Sequence, residues 1–600
     1  MNRMDFTFSD LIAGYVTKFD SASDTFGLRT SDGREFSVKI GAAAFAEIMR
    51  NLGEDYIDAG DYRKGLTAGR FVYAYGVFYP EAGTHNFEAI HLLFAGRGAN
   101  DFRVEEPDWY IKQISELGKF YRRAQFGSGP IDYRAYRTDI SADGYHTENP
   151  RQEIDTISRL IYGFASAYNL TGNDEFLEAA EAGTQYLREA CRVVDPKRGV
   201  TYWQHAIDAN GTKLLASQFG DDWGAIPTYE QIYALAGPTQ TYRLTGDPRI
   251  LTDIRGTIDL FNKHYHDPVQ KGYFSHIHPD SFDPRDPALT RNQSRKNWNS
   301  VGDHAPAYLI NLWLATGAKD DADFLAYTFD TIEEHFPDYE NSPFVQEKFH
   351  EDWSKDQEWG WQQNRAVVGH NLKISWNLMR MYHLRPEERY VSLARKIAQL
   401  MPGVGYDKQR GGWYDVMDRV KQPGQEWHRV AFHDRKAWWQ QEQGILAYLI
   451  LAGSLGDAEY RKYARESASF YGAWFLDHDV GGVYFNVLAN GLPYMLGTER
   501  KKGSHSMSGY HSFELAYLAA VYTNLLITKQ PTDFYYKPQP GAFPNNTLRV
   551  QPDILPPGRV KIESVEIDGK AHKGFDAAAL TVKLPDSKQS LRVKVRLIPT

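Results

Sequence analysis

Helical segments in the middle of the chain end in four similar phrases: Tyr168-Asn169-Leu170-Thr171-Gly172, Tyr242-Arg243-Leu244-Thr245-Gly246, Trp313-Leu314-Ala315-Thr316-Gly317 and Leu451-Ala452-Gly453-Ser454-Leu455-Gly456. Each ends on glycine, the residue that enters the left-handed conformation of a helix C-cap most easily. The final glycines are 74, 71 and 139 residues apart, so the repeat is about 70 residues long and one member is missing. The missing turn falls at residues 381–386, where Pro386 opens the next helix.

Each repeat reads as a helical hairpin followed by a longer loop, and hairpins of this length must stack to bury their apolar faces. An additional helix at residues 107–126 precedes the first hairpin and replaces the partner missing from the sixth. The pattern predicts a mainly α protein with an (α/α)6 barrel over residues 107–526, and an open solenoid is the main alternative. First helices are expected near Glu153, Thr228, Gly302, Arg365, Lys436 and Ser508, and second helices near Asn173, Asp247, Ala318, Pro386 and Asp457.

The flanking regions read as β structure. Residues 1–98 contain strand candidates at 11–19, 25–30, 35–40, 70–79 and 86–94 and a helix candidate at 42–52, the order of an OB-like β-barrel. Up to residue 96 this region has 9 Lys and Arg against 13 Asp and Glu, which favours an architectural or glycan-facing role over oligonucleotide binding. Residues 527–600 form a proline-rich crossing and a small β appendage with strands at 560–567, 580–584 and 591–598, whose expected role is packing against the barrel.

Composition excludes several classes of protein. The single Cys191 rules out disulfide-stapled scaffolds and cysteine-based zinc ribbons, and a net charge of −9 has the wrong sign for binding nucleic acid. No apolar stretch approaches membrane-spanning length, so a cytoplasmic protein without membrane contact is expected. Aromatic residues make up 14% of the 600, and aromatic faces in a polar cleft are suited to stacking on sugar rings.

The repeat also nominates a site. In a ring of hairpins the inner helices all run the same way, so their first residues converge at one mouth of the barrel. Near those starts, at separations of 71, 74, 66, 71 and 70 residues, lie Arg159, Glu230, His304, His370, Gln441 with its neighbour Glu442, and His511. Three histidines and a water are a known catalytic zinc arrangement, but these histidines lack i, i+4 or H-E-x-x-H spacing, so neither a metal nor a cofactor is expected.

Five segments resemble motifs of the N-acylglucosamine 2-epimerase and cellobiose 2-epimerase superfamily, in the expected order over residues 107–526. Gly369-His370-Asn371-Leu372-Lys373-Ile374-Ser375-Trp376 is similar to its GH-x-I-E-x-x-W stretch, and Trp438-Trp439-Gln440-Gln441-Glu442 to its WWxQAE segment. The other three are Ile157-Ser158-Arg159-Leu160-Ile161-Tyr162-Gly163-Phe164, Asp303-His304-Ala305-Pro306-Ala307-Tyr308 and Gly509-Tyr510-His511-Ser512-Phe513-Glu514.

This resemblance implies an isomerase that interconverts reducing sugars, by 2-epimerisation or aldose–ketose isomerisation through an enediolate. It implies His370 and His511 as acid and base, Arg159 as the cation that stabilises the oxyanion, and His304 as an aid to ring opening or a hydroxyl ligand. The substrate would be a sugar or oligosaccharide, and a homo-oligomer is left open. Substrate contacts are expected from Trp438, Trp439, Glu442, Gln441, Lys373 and Glu230.

Lys373 departs from the family pattern, which has glutamate there. Lying three residues after His370, it shares a helix face with that histidine, and its charge would depress the pKa of the proposed base. Two interpretations follow. Either Lys373 selects substrates with a negatively charged or strongly accepting substituent, or it points between helices and pairs with an acidic residue.

Two other functions remain open from the sequence. A glycoside hydrolase or lyase needs two carboxylates beside the scissile bond, and the candidates are Asp221, Asp222, Glu230, Asp356, Glu358 and Glu442. A non-catalytic glycan-binding protein would be favoured if His370 and His511 did not face a common cavity.

Overall fold

Five strands near the N-terminus form a closed β-barrel. The computed structural model describes residues 7–80, 86–361 and 363–600. The strands are β1 Phe8–Asp20, β2 Thr25–Arg29, β3 Glu35–Ile48, β4 Phe71–Phe78 and β5 Phe87–Phe94, and a one-turn helix, α1 Tyr62–Gly65, precedes β4. Their order around the barrel is β1-β2-β3-β5-β4, with β3 and β5 parallel and the other pairs antiparallel.

The helix predicted at residues 42–52 is wrong. Strand β3 continues through this alanine-rich stretch to Ile48 and pairs in parallel with β5, with Phe45 opposite His91 and Ala46 opposite Leu92. Alanine favours helix locally, but a ladder with a strand forty residues further along the chain buries Ala46 and outweighs that preference.

The middle of the chain is helical. Its helices are α2 Trp109–Phe126, α3 Ile154–Thr171, α4 Asp174–Tyr186, α5 Thr228–Ala234, α6 Ala236–Thr245, α7 Pro248–Leu260, α8 Trp298–Val301, α9 Ile310–Thr316, α10 Lys319–His335, α11 Val368–Leu384, α12 Glu388–Val404, α13 Trp438–Leu455, α14 Ala458–Trp474 and α15 Tyr510–Tyr522. Four stretches of π-helix extend them, at Leu187–Cys191, Phe261–Tyr265, Ala305–Leu309 and Thr523–Thr528. The four glycines that define the repeat all adopt the left-handed C-cap conformation, with φ between 64° and 72°.

Within the described residues, short strands lead into five of the six inner helices at the same mouth of the barrel. Strands β6, β11, β13, β15 and β17 each end on the residue before α3, α5, α8, α11 and α13. The short strands are β6 Gln152–Glu153, β7 Arg192–Asp195, β8 Val200–Trp203, β9 Ala206–Ile207, β10 Lys213–Leu214, β11 Ile226–Pro227, β12 His276–Ile277, β13 Arg295–Asn297, β14 Lys348–His350, β15 Arg365–Val367, β16 Val416–Asp418, β17 Arg435–Ala437 and β18 Asn486–Leu488. Most pair antiparallel across the loops, so the inner helices start in register.

The inner helices close into a ring. Helix α3 packs against α5 and α6, α6 against α9, α11 against α13, and α13 against α15. The ring closes where α15 contacts α3, and α2 packs outside that junction, as the helix expected at residues 107–126 should. The (α/α)6 barrel prediction is therefore confirmed. Within the described residues, no helix combines the length and apolar character that a membrane crossing needs.

A buried ion pair recurs in three of the loops that precede inner helices. In each, an aspartate from the turn after an outer helix meets a lysine shortly before the next inner helix. The pairs and their Nζ–Oδ2 distances are Lys296 with Asp267 at 2.8 Å, Lys436 with Asp407 at 3.0 Å and Lys502 with Asp477 at 2.7 Å. Breaking a buried pair leaves an uncompensated charge, so these contacts fix the entry to each inner helix.

The C-terminal region forms two small sheets. Its strands are β19 Thr532–Tyr536, β20 Thr547–Arg549, β21 Val560–Ile567, β22 Lys570–His572, β23 Phe575–Asp576, β24 Thr581–Lys583 and β25 Val593–Pro599. The sheet orders are β19-β25-β21-β22 and β20-β24-β23. The three predicted strands correspond to β21, β24 and β25, the last starting two residues later than expected.

Residues 551–554 of this region close the far end of the barrel. Arg243 of α6 donates to the carbonyl oxygens of Gln551 and Pro552 at 2.6 and 2.8 Å. The buried carboxylate of Asp553 accepts from Arg380 of α11 and from the hydroxyl of Tyr522 of α15, each at 2.9 Å. The inner helices are thus tied together at the end opposite the mouth.

Candidate active site

A cavity of about 560 Å³ opens at the mouth where the inner helices begin. Its floor and walls come from all six inner positions of the ring and from the loops between hairpins. The residues used below that line it are Arg159, Phe219, Asp221, Asp222, Tyr229, Tyr233, His276, Asp303, Trp361, His370, Lys373, Phe432, Trp438, Trp439, His505 and His511. The convergence predicted from the repeat therefore exists.

His370 lies in the first turn of α11 at the cavity wall. Its Nδ1 is 2.6 Å from Oε2 of Glu347, which precedes strand β14. Its ring centroid is 6.0 Å from that of Trp298 and 5.3 Å from that of Trp439. The carboxylate fixes the orientation of the imidazole and leaves Nε2 as the reactive nitrogen.

His511 occupies the equivalent place on α15. Its Nδ1 is 2.5 Å from Oε2 of Glu442, an oxygen that also accepts from Nε2 of Gln443 at 2.8 Å. Burial lowers the pKa of His511 well below its usual value, and the charges of Lys373, Arg159 and His370 lower it further. At neutral pH this imidazole is therefore unprotonated.

Trp439 lies beside both histidines. Its ring centroid is 5.3 Å from that of His370 and 5.9 Å from that of His511, and its side chain is half-buried. Trp438 also lines the cavity, but it is buried against Phe485 at 4.5 Å. Trp439 therefore presents the freer aromatic face to a bound molecule.

Arg159 of α3 brings a buried cation to the cavity. Its guanidinium lies 3.8 Å from the ring centroid of Tyr233 and 5.0 Å from that of Tyr229. Its Nη2 is 3.5 Å from the carboxylate of Asp155. Within the described part of the chain, the buried Nε and Nη2 of Arg159 have no hydrogen-bond partner, so the protein leaves this cavity-lining guanidinium incompletely bonded.

The expected place of His304 in the site is not what the structure shows. The side chain is fully buried outside the cavity, against the rings of Phe261, Tyr273 and Phe324, and its Nδ1 is 3.0 Å from the hydroxyl of Tyr308. Burial lowers the pKa of His304 to about 3. The preceding residue, Asp303, lines the cavity instead, because one residue along a helix turns the side chain by about 100°.

Glu230 and Gln441 do not line the cavity either. Oε2 of Glu230 is 2.9 Å from Nδ1 of His205. The amide of Gln441 is used by the backbone of Trp413, which donates to Oε1 and accepts from Nε2, each at 2.8 Å. Both residues hold a loop against the start of an inner helix. The repeat therefore predicted their positions along the chain correctly, but not which face of the helix their side chains occupy.

Lys373 reaches the cavity but is already paired. Its Nζ is 2.6 Å from Oδ1 of Asp303 and 3.0 Å from the hydroxyl of Tyr233. Burial alone would lower the pKa of Lys373, but the charge of Asp303 outweighs it and the pKa is raised. This geometry matches the second of the two interpretations given for Lys373, pairing with an acidic residue between helices.

Several cavity residues gave no signal in the sequence. His505 lies in the loop before α15, with Nδ1 2.7 Å from Oε2 of Glu153, and that carboxylate outweighs burial to raise the pKa of His505 to about 9. Phe219 stacks on the His505 ring at 3.5 Å. These contacts join residues more than 280 positions apart, which no local pattern indicates.

Two of the six carboxylates considered for a hydrolase line the cavity, at its rim. Oδ2 of Asp221 accepts from the backbone amide of Trp361, and Oδ1 of Asp222 is bonded to Nε2 of His276, both at 2.7 Å. The condition that would have favoured a non-catalytic glycan-binding protein is not met, because His370 and His511 line the same cavity.

Residues 135–513 match the family model of N-acylglucosamine 2-epimerase (GlcNAc 2-epimerase). A cellobiose 2-epimerase of Ruminococcus albus is 19% identical over 389 residues, covering 63% of this chain and 86% of that protein. The fold is similar to the crystal structure of a D-mannose isomerase, with a TM-score of 0.57 at 20% identity over 70% of this chain and 99% of that one. A cellobiose 2-epimerase from Bacillus thermoamylovorans B4167 gives 0.55 at 16% identity over 69% and 98%.

Proposed function

The chain belongs to the N-acylglucosamine 2-epimerase family, and from that premise we propose that it is an isomerase acting on reducing sugars, by epimerisation at C2 or by aldose–ketose isomerisation. The observation that supports this most directly is the pair His370 and His511. They come from different hairpins, line one cavity, and have ring centroids 5.3 and 5.9 Å from that of Trp439.

The chemistry requires a base, an acid and a stabilised oxyanion. Neutral His511 takes the proton from C2 of the open-chain aldose through Nε2, and the C–H electron pair forms the C1–C2 double bond while the carbonyl electrons move to O1. Return of a proton to the opposite face of C2 restores the C1 carbonyl and gives the epimer, whereas protonation of C1 with transfer of the O2 proton to O1 forms the C2 carbonyl and gives the ketose. We assign that second role to His370, because the two proton positions of an epimerisation lie on opposite faces of the enediolate.

Arg159 is the residue we assign to the enediolate oxygen. A guanidinium with unused donors, held on two tyrosine rings in a buried site, needs no reorganisation as negative charge develops on O1. Lys373 is not free to take this role because Asp303 holds its charge, and Tyr233 accepts from Lys373 and donates to Asp303.

The rim of the cavity suits a substrate larger than one sugar. Trp361 and Phe432 are about half exposed and stacked with centroids 6.3 Å apart, and the guanidinium of Arg435 lies 4.7 Å from the Phe432 ring. We propose that this pair holds the sugar unit attached to the reacting one.

Trp361→Ala should then raise KM for a reducing disaccharide about tenfold, the loss expected when one aromatic contact is truncated, and leave kcat/KM for the matching monosaccharide unchanged. Trp427→Ala removes another exposed tryptophan that lies outside the cavity, and it should affect neither substrate. An equal effect of Trp361→Ala on both sugars would contradict the assignment.

The test of the proposed function is isotope exchange. The protein is incubated in deuterated water with a panel of neutral reducing mono- and disaccharides, and the products are examined for deuterium at C2 and C1. Incorporation at C2 with inversion identifies epimerisation, and incorporation at C1 with a ketose product identifies isomerisation. Release of free monosaccharides from disaccharides without exchange would favour the hydrolase instead.

For the flanking regions we propose architectural roles. The N-terminal β-barrel, whose strand order suits the OB-like fold proposed for residues 1–98, contacts the helical region through Asp10, which pairs with Arg410 in the loop after α12, and through Tyr15, whose hydroxyl donates to Glu466 of α14. Glu105, between the β-barrel and α2, pairs with Arg461 and Arg465 of α14. None of the described residues before Arg159 lines the cavity. We keep residues 107–526 as the catalytic domain and 527–600 as an appendage that closes its far end.

A further inference from the structure

Behind His511 lies a second buried carboxyl group, that of Glu514, on the same helix α15. Both Glu442 and Glu514 are 1% exposed. One polar atom of Glu442, one of His511 and one of Glu514 lie within 4.8 Å of one another. Two buried carboxylates this close repel each other when both are ionised and have only acceptors to present, so the pair is expected to hold one proton.

The bonding of the four carboxyl oxygens shows where that proton lies. Oε2 of Glu442 accepts from His511 and Gln443, and Oε1 of Glu514 accepts from the hydroxyl of Tyr510 at 3.0 Å. Oε1 of Glu442 and Oε2 of Glu514 are buried and have no other partner among the described residues. These are the two oxygens left to share a proton.

The surroundings decide which carboxyl holds the negative charge. Burial raises the pKa of both groups and the charge of Lys373 lowers both, but Glu514 raises the pKa of Glu442 further, whereas the hydrogen bond with Glu442 and the charge of Arg380 lower that of Glu514. With its Tyr510 hydrogen bond as well, Glu514 is the better place for the charge. The titratable and charged groups that face this cluster are Tyr121 of α2, Arg159 and Tyr162 of α3, Tyr233 of α5, His370, Lys373 and Arg380 of α11, Glu442 of α13, Tyr471 of α14, and Tyr510 of α15.

We propose that Glu514 is a positioning residue, which carries the charge of a carboxyl pair so that Glu442 keeps the shared proton beside His511. A neutral Glu442 orients the His511 ring through Nδ1 without stabilising its protonated form, and Nε2 stays free to accept a proton from substrate. This inference rests on the proposed function, since it explains how the base stays unprotonated in a cavity rimmed by carboxylates.

The test is Glu514→Gln, which keeps the size of the side chain. The glutamine amide would donate to Oε1 of Glu442 and leave Glu442 fully ionised, and a full negative charge beside His511 raises its pKa by about one unit or more. The pH below which kcat/KM falls should rise by that amount. At any pH on this falling, acidic side of the profile, kcat/KM should drop about tenfold for each pH unit of the rise. Activity at the high-pH plateau should stay within about threefold of the wild type.

Two further variants guard against a purely structural effect. Tyr510→Phe removes a hydrogen-bond donor to Glu514 and should move the acidic limb of the pH profile to higher pH by a smaller amount. This variant tests the proposal even if Glu514→Gln does not fold. Glu466→Gln alters another buried glutamate, which Tyr406 and Tyr15 hold outside the cavity at 3.1 Å each, and should lower stability without moving the limb. The proposal would be overturned if the acidic limb of the kcat/KM profile stayed at the wild-type pH in both Glu514→Gln and Tyr510→Phe.

A readout independent of turnover separates this inference from the proposed function. Diethyl pyrocarbonate acylates neutral imidazole, so its rate of modification of His511, followed by peptide mass spectrometry, reports the neutral fraction of that side chain at each pH. The rate should start to fall at higher pH in Glu514→Gln than in the wild type, whether or not a substrate is known. Stoichiometric metal in the wild-type protein that is lost from Glu514→Gln would also overturn the proposal, because a cation would then replace the shared proton.

Discussion

Replacing His370 or His511 with alanine is expected to remove turnover, with kcat falling by about 10²- to 10⁴-fold, the contribution of a positioned acid or base. Each variant keeps the cavity and the opposite histidine but loses proton transfer on one face of the enediolate. Both histidines are nearly buried and bonded to a carboxylate, so a stability loss of about 1–3 kcal/mol accompanies the change, small for a domain of this size.

The matched control is His383→Ala. His383 lies near the other end of α11, where its Nδ1 is bonded to the carbonyl oxygen of Ile554 at 3.0 Å, far from the cavity. Its loss should lower the melting temperature to a similar extent and leave kcat at the wild-type value. Turnover retained by either cavity variant would remove that histidine from the mechanism.

Replacing Lys373 with methionine is expected to destabilise the protein by about 3–5 kcal/mol, because Asp303 is left as a buried charge without its partner. Since the pKa of Lys373 is raised in the folded state, its contribution is fully present below the usual lysine pKa and is lost only as the pH rises above it. The loss should therefore be the same throughout the neutral range. Urea unfolding at two neutral pH values measures it.

The double variant Lys373→Met with Asp303→Asn removes both charges and should recover most of the lost stability. The same proteins decide whether Lys373 selects its substrate. Because the charge of Lys373 is already compensated by Asp303, the ratio of turnover on a neutral aldose to turnover on its uronate should be the same in the double variant, which leaves no unpaired charge in the cavity, as in the wild type. A strong shift of this ratio toward the neutral sugar would indicate that Lys373 binds a negatively charged substituent of the substrate.

Local signals in the sequence were enough for the barrel and for part of the cavity lining. A glycine C-cap depends on only a few neighbouring residues. The helix ends were therefore predicted correctly at Gly172, Gly246, Gly317 and Gly456, and the spacing of these glycines gave the length of the repeat. The phase of the inner helices then brought Arg159, His370 and His511 to one mouth. These inferences needed no long-range contact.

Where contacts far along the chain decide the outcome, the sequence misled or gave no signal. The stretch at 42–52 became strand through its partner β5, and His304 missed the cavity because Asp303 faces it instead, at a helix start that continues into the π-helical turn Ala305–Leu309. The rim residues Phe219 and Trp361 come from loops whose positions depend on several hairpins at once. Glu514 was visible in its motif, but its meaning depends on Glu442, seventy residues earlier.

Closure of the ring by α15 also governs the order in which the molecule can be completed during synthesis. Helix α15 packs against α3, more than 350 residues earlier, and residues 551–554 close the far end later still. Until the ribosome has released the chain as far as Tyr522, the wall that carries His511 is missing and the apolar edges of α3 and α13 stay uncovered. Catalytic competence is therefore acquired only after α15 has been synthesised, and a chain cut short before Tyr510 has neither a closed barrel nor a base.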